Sequence, residues 1–101
     1  MPPQFFDIHA HINDTQFDSD RAEVLTRMHE RKVWSIQVGT DLKSSQAVVA
    51  LARASDEVFA SIGVHPIDDQ KAQFDKPSFN MLVTSERVVA IGECGLDYSR
   101  L

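Results

Sequence analysis

Apolar residues fall along this chain in two alternating rhythms. Four short stretches are almost continuously apolar and rich in aromatic and β-branched residues: "FFDIH" at 5–9, "VWSIQVG" at 33–39, "VFASIGV" at 58–64 and "VVAIGECG" at 88–95. Runs of that length and composition predict strands. Between the first two, "DSDRAEVLTRMHERK" places Ala22, Leu25, Met28 and His29 at helical spacing, with Asp18 or Ser19 available as a cap. Between the next two, "LKSSQAVVALARAS" aligns Ala47, Val48, Leu51 and Ala52 on one helical face, with Ser44 or Ser45 near its start. The third connection, "HPIDDQKAQFDKPSFNMLVTS", predicts a turn at Lys76-Pro77 and a helix from about Ser78 to Ser85. No internal repeat, low-complexity tract or linker interrupts the pattern.

Strands that alternate with helices pair in parallel through right-handed crossovers. Strands apolar throughout are expected where both faces of a sheet are covered. The expected fold class is therefore α/β, with about four parallel strands and three helices, built as an open doubly wound sheet or as an arc of a (β/α)-barrel. In both architectures functional side chains gather at the carboxyl ends of the strands. Simple alternation places Phe5, Ile36, Ile62 and Ile91 on the barrel-facing side.

Size and composition narrow the class without changing it. A chain of 101 residues, 43% hydrophobic and 25% charged, fits one folded domain over 1–101. No apolar run approaches a membrane span, and the N-terminus lacks a basic region followed by an apolar stretch, so a cytoplasmic location is expected. Cys94 is the single cysteine, which excludes an internal disulfide. The formal charge of −5 is the wrong sign for gripping nucleic acid by phosphate neutralisation alone. A nucleic-acid partner would need bound cations to supply the attraction.

The polar residues carry the chemistry. Asp7, His9 and His11 are spaced two apart, so a regular strand puts them on one face, with the histidines at its carboxyl end. Imidazole suits zinc, and mixed imidazole–carboxylate sets also take manganese, nickel or iron. His65 closes the third strand, and Pro66 biases it toward extended backbone, aiming the imidazole at the same rim. Glu93 ends the fourth strand between Gly92 and Cys94, where an unpaired carboxylate is costly to bury. Cys94 alternates to the opposite face and is expected to pack under a helix. His29, within the first helix, reads as an ordinary surface or half-buried residue. A lysine or arginine from a neighbour could equally pair with Glu93, and an isolated pair of strand-end histidines is also compatible with plain hydrogen bonding.

Together, "DIHAHIND", "IGVHP" and "IGECGLDYSR", with "GTD" at 39–41, resemble the TatD family of metal-dependent hydrolases, often described as deoxyribonucleases. The resemblance extends over essentially the whole chain, and "GECGLDY" is its most specific string. It implies the N-terminal half of a TIM-like (β/α)-barrel and hydrolysis of phosphodiester bonds in DNA, assisted by divalent ions (Mg, Mn or Zn, two in the complete family enzyme). It implies that His9 and His11 are ligands of one ion, that Glu93 bridges both, and that His65 meets substrate. Asp97 lies within the matching motif without a role assigned to it, and no catalytic residue is identified. Asp7 is expected to support the histidines by hydrogen bonding. Ile12 and Asn13 stand where the family commonly has a leucine and an acid.

A complete (β/α)-barrel takes about 250 residues. The sequence therefore looks like the first part of such an enzyme, truncated relative to the family, with three of its expected ligands. The alternative is a non-catalytic half-barrel that serves assembly or metal binding. Either way, unpaired outer strands and an open barrel-facing side are expected to drive self-association.

Overall fold

A computed structural model describes residues 2–65 and 75–94. Within them, strands β1 (Phe5–Ala10), β2 (Val33–Val38), β3 (Val58–Ile62) and β4 (Val88–Ile91) alternate with helices α1 (Arg21–Glu30), α2 (Leu42–Ala54) and α3 (Lys76–Val83). A single 3-10 turn, Thr15–Phe17, lies between β1 and α1. The strands form one sheet in the order β1-β2-β3-β4, every pair parallel. A doubly wound sheet reverses its strand order at a switch point. The order here never reverses, which is the arrangement of an arc of a (β/α)-barrel. No helix among the described residues is long and apolar enough to cross a membrane.

The helices begin where side chains satisfy their first amide groups. Asp41 caps α2: its carboxylate accepts the Ser44 N–H at 2.7 Å, while Ser44 Oγ accepts the Asp41 N–H at 3.0 Å. The cap therefore precedes the serines expected there, and Ser44 serves as its reciprocal partner in a capping box. Asp75 caps α3, accepting from Ser78 N at 3.1 Å and Ser78 Oγ at 2.8 Å, with Pro77 in the first turn. The helix thus starts at Lys76, two residues ahead of the expected Ser78. Neither Asp18 nor Ser19 caps α1. Asp20 holds that position without a side-chain bond, and Asp18 is drawn instead into a 2.6 Å ion pair with Arg21.

The register decides which residues share a face. Phe6 pairs with Trp34, and Ile36 with Phe59, so these four lie on one side of the sheet. Ser35 and Gln37 pair with Val58 and Ala60 on the other side, where α2 and α3 pack. The core is built there from Val48, Val49, Ala52, Val58, Ala60, Ile62 and Phe79, with Leu25 of α1 at its margin. Burying each of the larger side chains contributes about 1.5–3 kcal/mol. The expected barrel-facing set of Phe5, Ile36, Ile62 and Ile91 is therefore corrected. Ile62 is 1% exposed within the helix-covered core, Phe5 pairs with Val33 on that same side, and Ile91 pairs with Ile62. Only Ile36 is on the open side. Counting by twos from each strand's start ignored the offsets between strands, and one residue of offset exchanges the faces.

Among the described residues, coverage of both faces is likewise not what forms. The helices cover β2 and β3 on one side only, and β1 is exposed along almost its entire length. On the open side an aromatic cluster gathers, with Phe6, Trp34 and Phe59 ring centroids 6.0–6.3 Å apart. The Arg87 guanidinium lies 4.4 Å over the Phe59 ring and donates to the carbonyls of Ala52, Ser55 and Val58. It thereby closes the carboxyl end of α2 and ties it to the start of β4.

Candidate metal centre

β1 does not run straight to its end. Asp7 pairs with Ser35 and Ala10 with Gln37, so three steps on β1 match two on β2. This bulge inserts an extra residue and re-aims the side chains beyond it. Asp7 and Ala10 both take the helix-covered side, and His9 and His11 emerge on the open one. The expectation that Asp7 shares their face fails for this reason. Asp7 Oδ1 instead accepts the His9 backbone N–H at 3.1 Å, which supports the bulged main chain rather than either imidazole.

The two imidazoles meet edge to face, 5.0 Å between centroids and 76° between planes. His11 Nδ1 lies 2.8 Å from the Val38 carbonyl oxygen. A carbonyl only accepts, so Nδ1 carries the proton and Nε2 keeps its lone pair free. A backbone carbonyl fixing the tautomer in this way is the usual support of a metal-binding histidine. Glu93 arrives from the far edge of the sheet, with Oε2 3.8 Å from His9 Nε2 and Oε1 3.7 Å from His65 Nε2. Adjacent strands are about 4.8 Å apart, so β1 and β4 would be about 14 Å apart in a flat sheet. Their side chains meet because the sheet curves, with the open side concave.

One ligand atom from each of His9, His11 and Glu93 lies within 4.8 Å of the others. An ion with tetrahedral bonds of about 2.1 Å holds its ligands about 3.4 Å apart. The group therefore needs to close by at most about 1.4 Å, and a set of two imidazoles and one carboxylate fits a divalent cation. The sequence-predicted residues are thus brought together: His9, His11 and Glu93 as a cluster, and His65 at its side, its own backbone N–H held by the Thr40 carbonyl at 2.7 Å. Pro66 and Asp97 lie outside the described residues. Cys94 is exposed rather than packed under a helix; it borders an apolar groove beside β4 with Phe79, Val83 and Ile91 that no helix of the described residues covers.

The cluster opens into a cleft of about 540 Å³ between the segments after β1 and β2. Asp14, Asp41, Glu93 and Lys43 all line it. Asn13 Oδ1, also on the cleft, is buried without a hydrogen-bond partner among the described residues. With more acid than base in its walls, the cleft attracts cations before it can attract phosphates.

Four residues that sequence reasoning passed over hold this geometry. Gln37, fully buried, accepts the Ile12 N–H and donates to Ser35 Oγ, both at 2.8 Å. Arg21 donates to the carbonyls of Ile12, Asn13 and Asp14 at 2.6, 3.1 and 2.9 Å, pinning the segment after His11 from the other side. Ser45 Oγ bridges the N–H and carbonyl of Gly63. A Cβ on Gly63 would collide with the main-chain oxygen of Glu93, so only glycine lets β3 pass so close to the carboxylate's backbone. The signal for Gln37 was present, as a polar pair Ser35-x-Gln37 within an apolar run. Arg21 gave none.

The chain is similar to known proteins throughout this framework. The model of the family described as TatD related DNase matches residues 6–101. The uncharacterised metal-dependent hydrolase YabD of Bacillus subtilis is 40% identical over 95 residues, covering 92% of this chain and 37% of that protein. The 3'-5' ssDNA/RNA exonuclease TatD of Shigella flexneri is 37% identical over 97 residues, 94% of this chain and 37% of its own length. Its namesake from Pantoea ananatis is 39% identical over 98 residues, 94% and 38%. The chain thus spans little more than a third of these relatives.

Proposed function

Because this chain belongs to the TatD-related DNase family, we propose that it carries the first part of a metal-dependent hydrolase centre that cleaves phosphodiester bonds in single-stranded DNA. The observation that carries this reading is the convergence of His9, His11 and Glu93 from the two edge strands, with His65 beside them. On this reading His9 and His11 bind through Nε2, the second held in its tautomer by Val38, and Glu93 offers both carboxylate oxygens. When bound, a divalent ion acidifies water and offsets charge developing on phosphoryl oxygens. On the same reading His65, whose ring nitrogen lies 3.7 Å from Glu93 on the cleft wall, would meet a substrate oxygen. Lys43 and the cleft's polar walls would then orient a strand whose charge the protein, at −5, does not itself neutralise.

The activity belongs to the whole fold, so the test joins this segment to the rest of one. Residues 6–101 replace the matching segment of the Shigella flexneri exonuclease. The hybrid is assayed on single-stranded DNA and RNA with Mg²⁺, Mn²⁺ or Zn²⁺, with and without chelator. The expected result is metal-dependent cleavage of single-stranded DNA, abolished by Glu93→Ala. A folded hybrid that cleaves neither substrate refutes the assignment, and cleavage of RNA alone refutes its DNA part.

A further inference from the structure

On the metal-centre reading an ion meets one phosphate, yet a nucleic-acid strand carries a phosphate at every nucleotide. The cleft beside the centre, at about 540 Å³, is larger than one phosphoryl group requires and falls in the range of cavities that hold whole small molecules. Among the described residues that line it, Lys43 is the single lysine or arginine. It is exposed at the second position of α2 and makes no ion pair with any described residue.

The groups around Lys43 are already engaged. The Asp41 carboxylate accepts from the Ser44 N–H and Oγ, each at 2.7 Å, to cap α2. Arg21, which holds the segment after β1, has its Nε and Nη2 committed to the carbonyls of Ile12, Asn13 and Asp14 and to Asp18. Nor does Lys43 serve the helix it stands on, since a cation in the first turn opposes the positive end of the helix dipole. An anion brought to it relieves that conflict. The wall that carries Lys43 is also fixed in place. It springs from β2, which is paired on both sides by β1 and β3. The Thr40 N–H donates to Ser44 Oγ at 2.8 Å and the Thr40 carbonyl accepts the His65 N–H at 2.7 Å, so the start of α2 is tied to His65.

We propose that Lys43 holds the phosphate next to the reacting one, so that the site favours strands with at least two consecutive phosphates over lone phosphodiesters. The proposal rests on the reading of the metal centre given above. The ion offsets charge on the reacting phosphoryl group, and Lys43 supplies a charge-assisted contact to its neighbour along the strand. It takes no part in bond cleavage. A contact made equally in the bound substrate and in the transition state lowers KM and leaves kcat unchanged.

The hybrid described above is assayed on a single-stranded DNA decamer and on thymidine 5'-(p-nitrophenyl phosphate), which has one phosphodiester and no second phosphate. Lys43→Gln should raise KM for the decamer about tenfold with kcat unchanged, and should hydrolyse the nitrophenyl ester as the parent does. Binding of a phosphorothioate decamer, which resists cleavage, is followed by fluorescence anisotropy from about 50 to 200 mM NaCl. One phosphate contact fewer should flatten the dependence of log affinity on log salt by about 0.7. Lys43→Arg should restore both values. Arg53→Gln removes the same charge about 15 Å along α2, beyond the Debye length, and should change neither. A urea midpoint no lower than the parent's shows that Lys43→Gln keeps the fold. Unchanged KM and salt slope in Lys43→Gln, an equal loss on the nitrophenyl ester, or an equal loss in Arg53→Gln would overturn the proposal and leave the metal centre standing. In a hybrid that binds without cleaving, which refutes the hydrolase reading, the same salt slope decides for or against Lys43. A folded hybrid that neither binds nor cleaves refutes both.

Discussion

Replacing Gln37 with leucine isolates the device that aims the histidine pair. The two side chains have similar volume, so little cavity is created and the loss is almost entirely of hydrogen bonds. Ile12, 7% exposed, is left with a buried N–H whose acceptor has gone, at a cost of about 1–3 kcal/mol. Ser35 Oγ, fully buried, loses its donor, adding about 0.5–1.5 kcal/mol. A total of about 2–4 kcal/mol is a large part of the 5–15 kcal/mol typical of a domain. With a urea m-value of about 1–2 kcal/mol/M, the unfolding midpoint should fall by about 1–4 M. Trp34, the single tryptophan, reports the transition by fluorescence. Protein concentration is held fixed, because association would otherwise shift the curve. Ser35→Ala is the control, since it leaves the bond to Ile12 in place and should cost less, about 1 kcal/mol. Because Ile12 follows His11 directly, Gln37→Leu should also weaken zinc binding by about 10-fold or more, in the range seen when supporting contacts are lost. A variant within about 0.5 kcal/mol of the parent, with unchanged zinc affinity, would refute the reasoning.

Other perturbations probe the remaining contacts. Gly63→Ala should displace the Glu93 main chain, weaken zinc affinity about tenfold or more and cost about 1–3 kcal/mol; unchanged calorimetry would show that β3 yields without disturbing the carboxylate. The side-chain and backbone hydrogen bonds from Ser78 hold the Asp75 carboxyl below its ordinary value of 3.8. The unfolded chain therefore takes up that proton more readily, so the cap's contribution is complete above about pH 4 and lost as pH falls through the lower folded value. Hydrogen exchange in the first turn of α3, measured from about pH 5 downward, should accelerate beyond its intrinsic acid trend in the parent and not in Asp75→Ala. Lys32, with φ of 58°, occupies a left-handed position at the end of α1, and Lys32→Gly should raise stability by up to about 1 kcal/mol in urea titration.

The sequence made the strands and helices readable because each is encoded locally, by a run of apolar residues or a repeated helical face. It also marked the residues that converge, since His9, His11, His65 and Glu93 all fall where strands end. What it hid was relational. The β1 bulge that separates Asp7 from the histidines exists only as a mismatch between two strands with a whole helix between them, and no pattern within β1 announces it. Ile62 and Ile36 look alike in their strands, and only pairing to Ile91 and Phe59 assigns them to opposite sides. Arg21 and Gln37 act on backbone groups, which every residue has, so their identity carries no trace of the target. Asp41 was legible as part of a motif, yet its carboxylate is committed to capping α2.

The ligands' placement at the two ends of the described chain also sets when the site comes into being. His9 and Glu93 can meet only after β1 through β4 have all found their neighbours, and contacts between such distant residues carry the loop-closure entropy of the whole intervening segment. A divalent ion therefore has little to hold in a partly folded chain. It should leave the refolding rate nearly unchanged and act on the reverse step, slowing unfolding by almost the full factor by which it stabilises the native state.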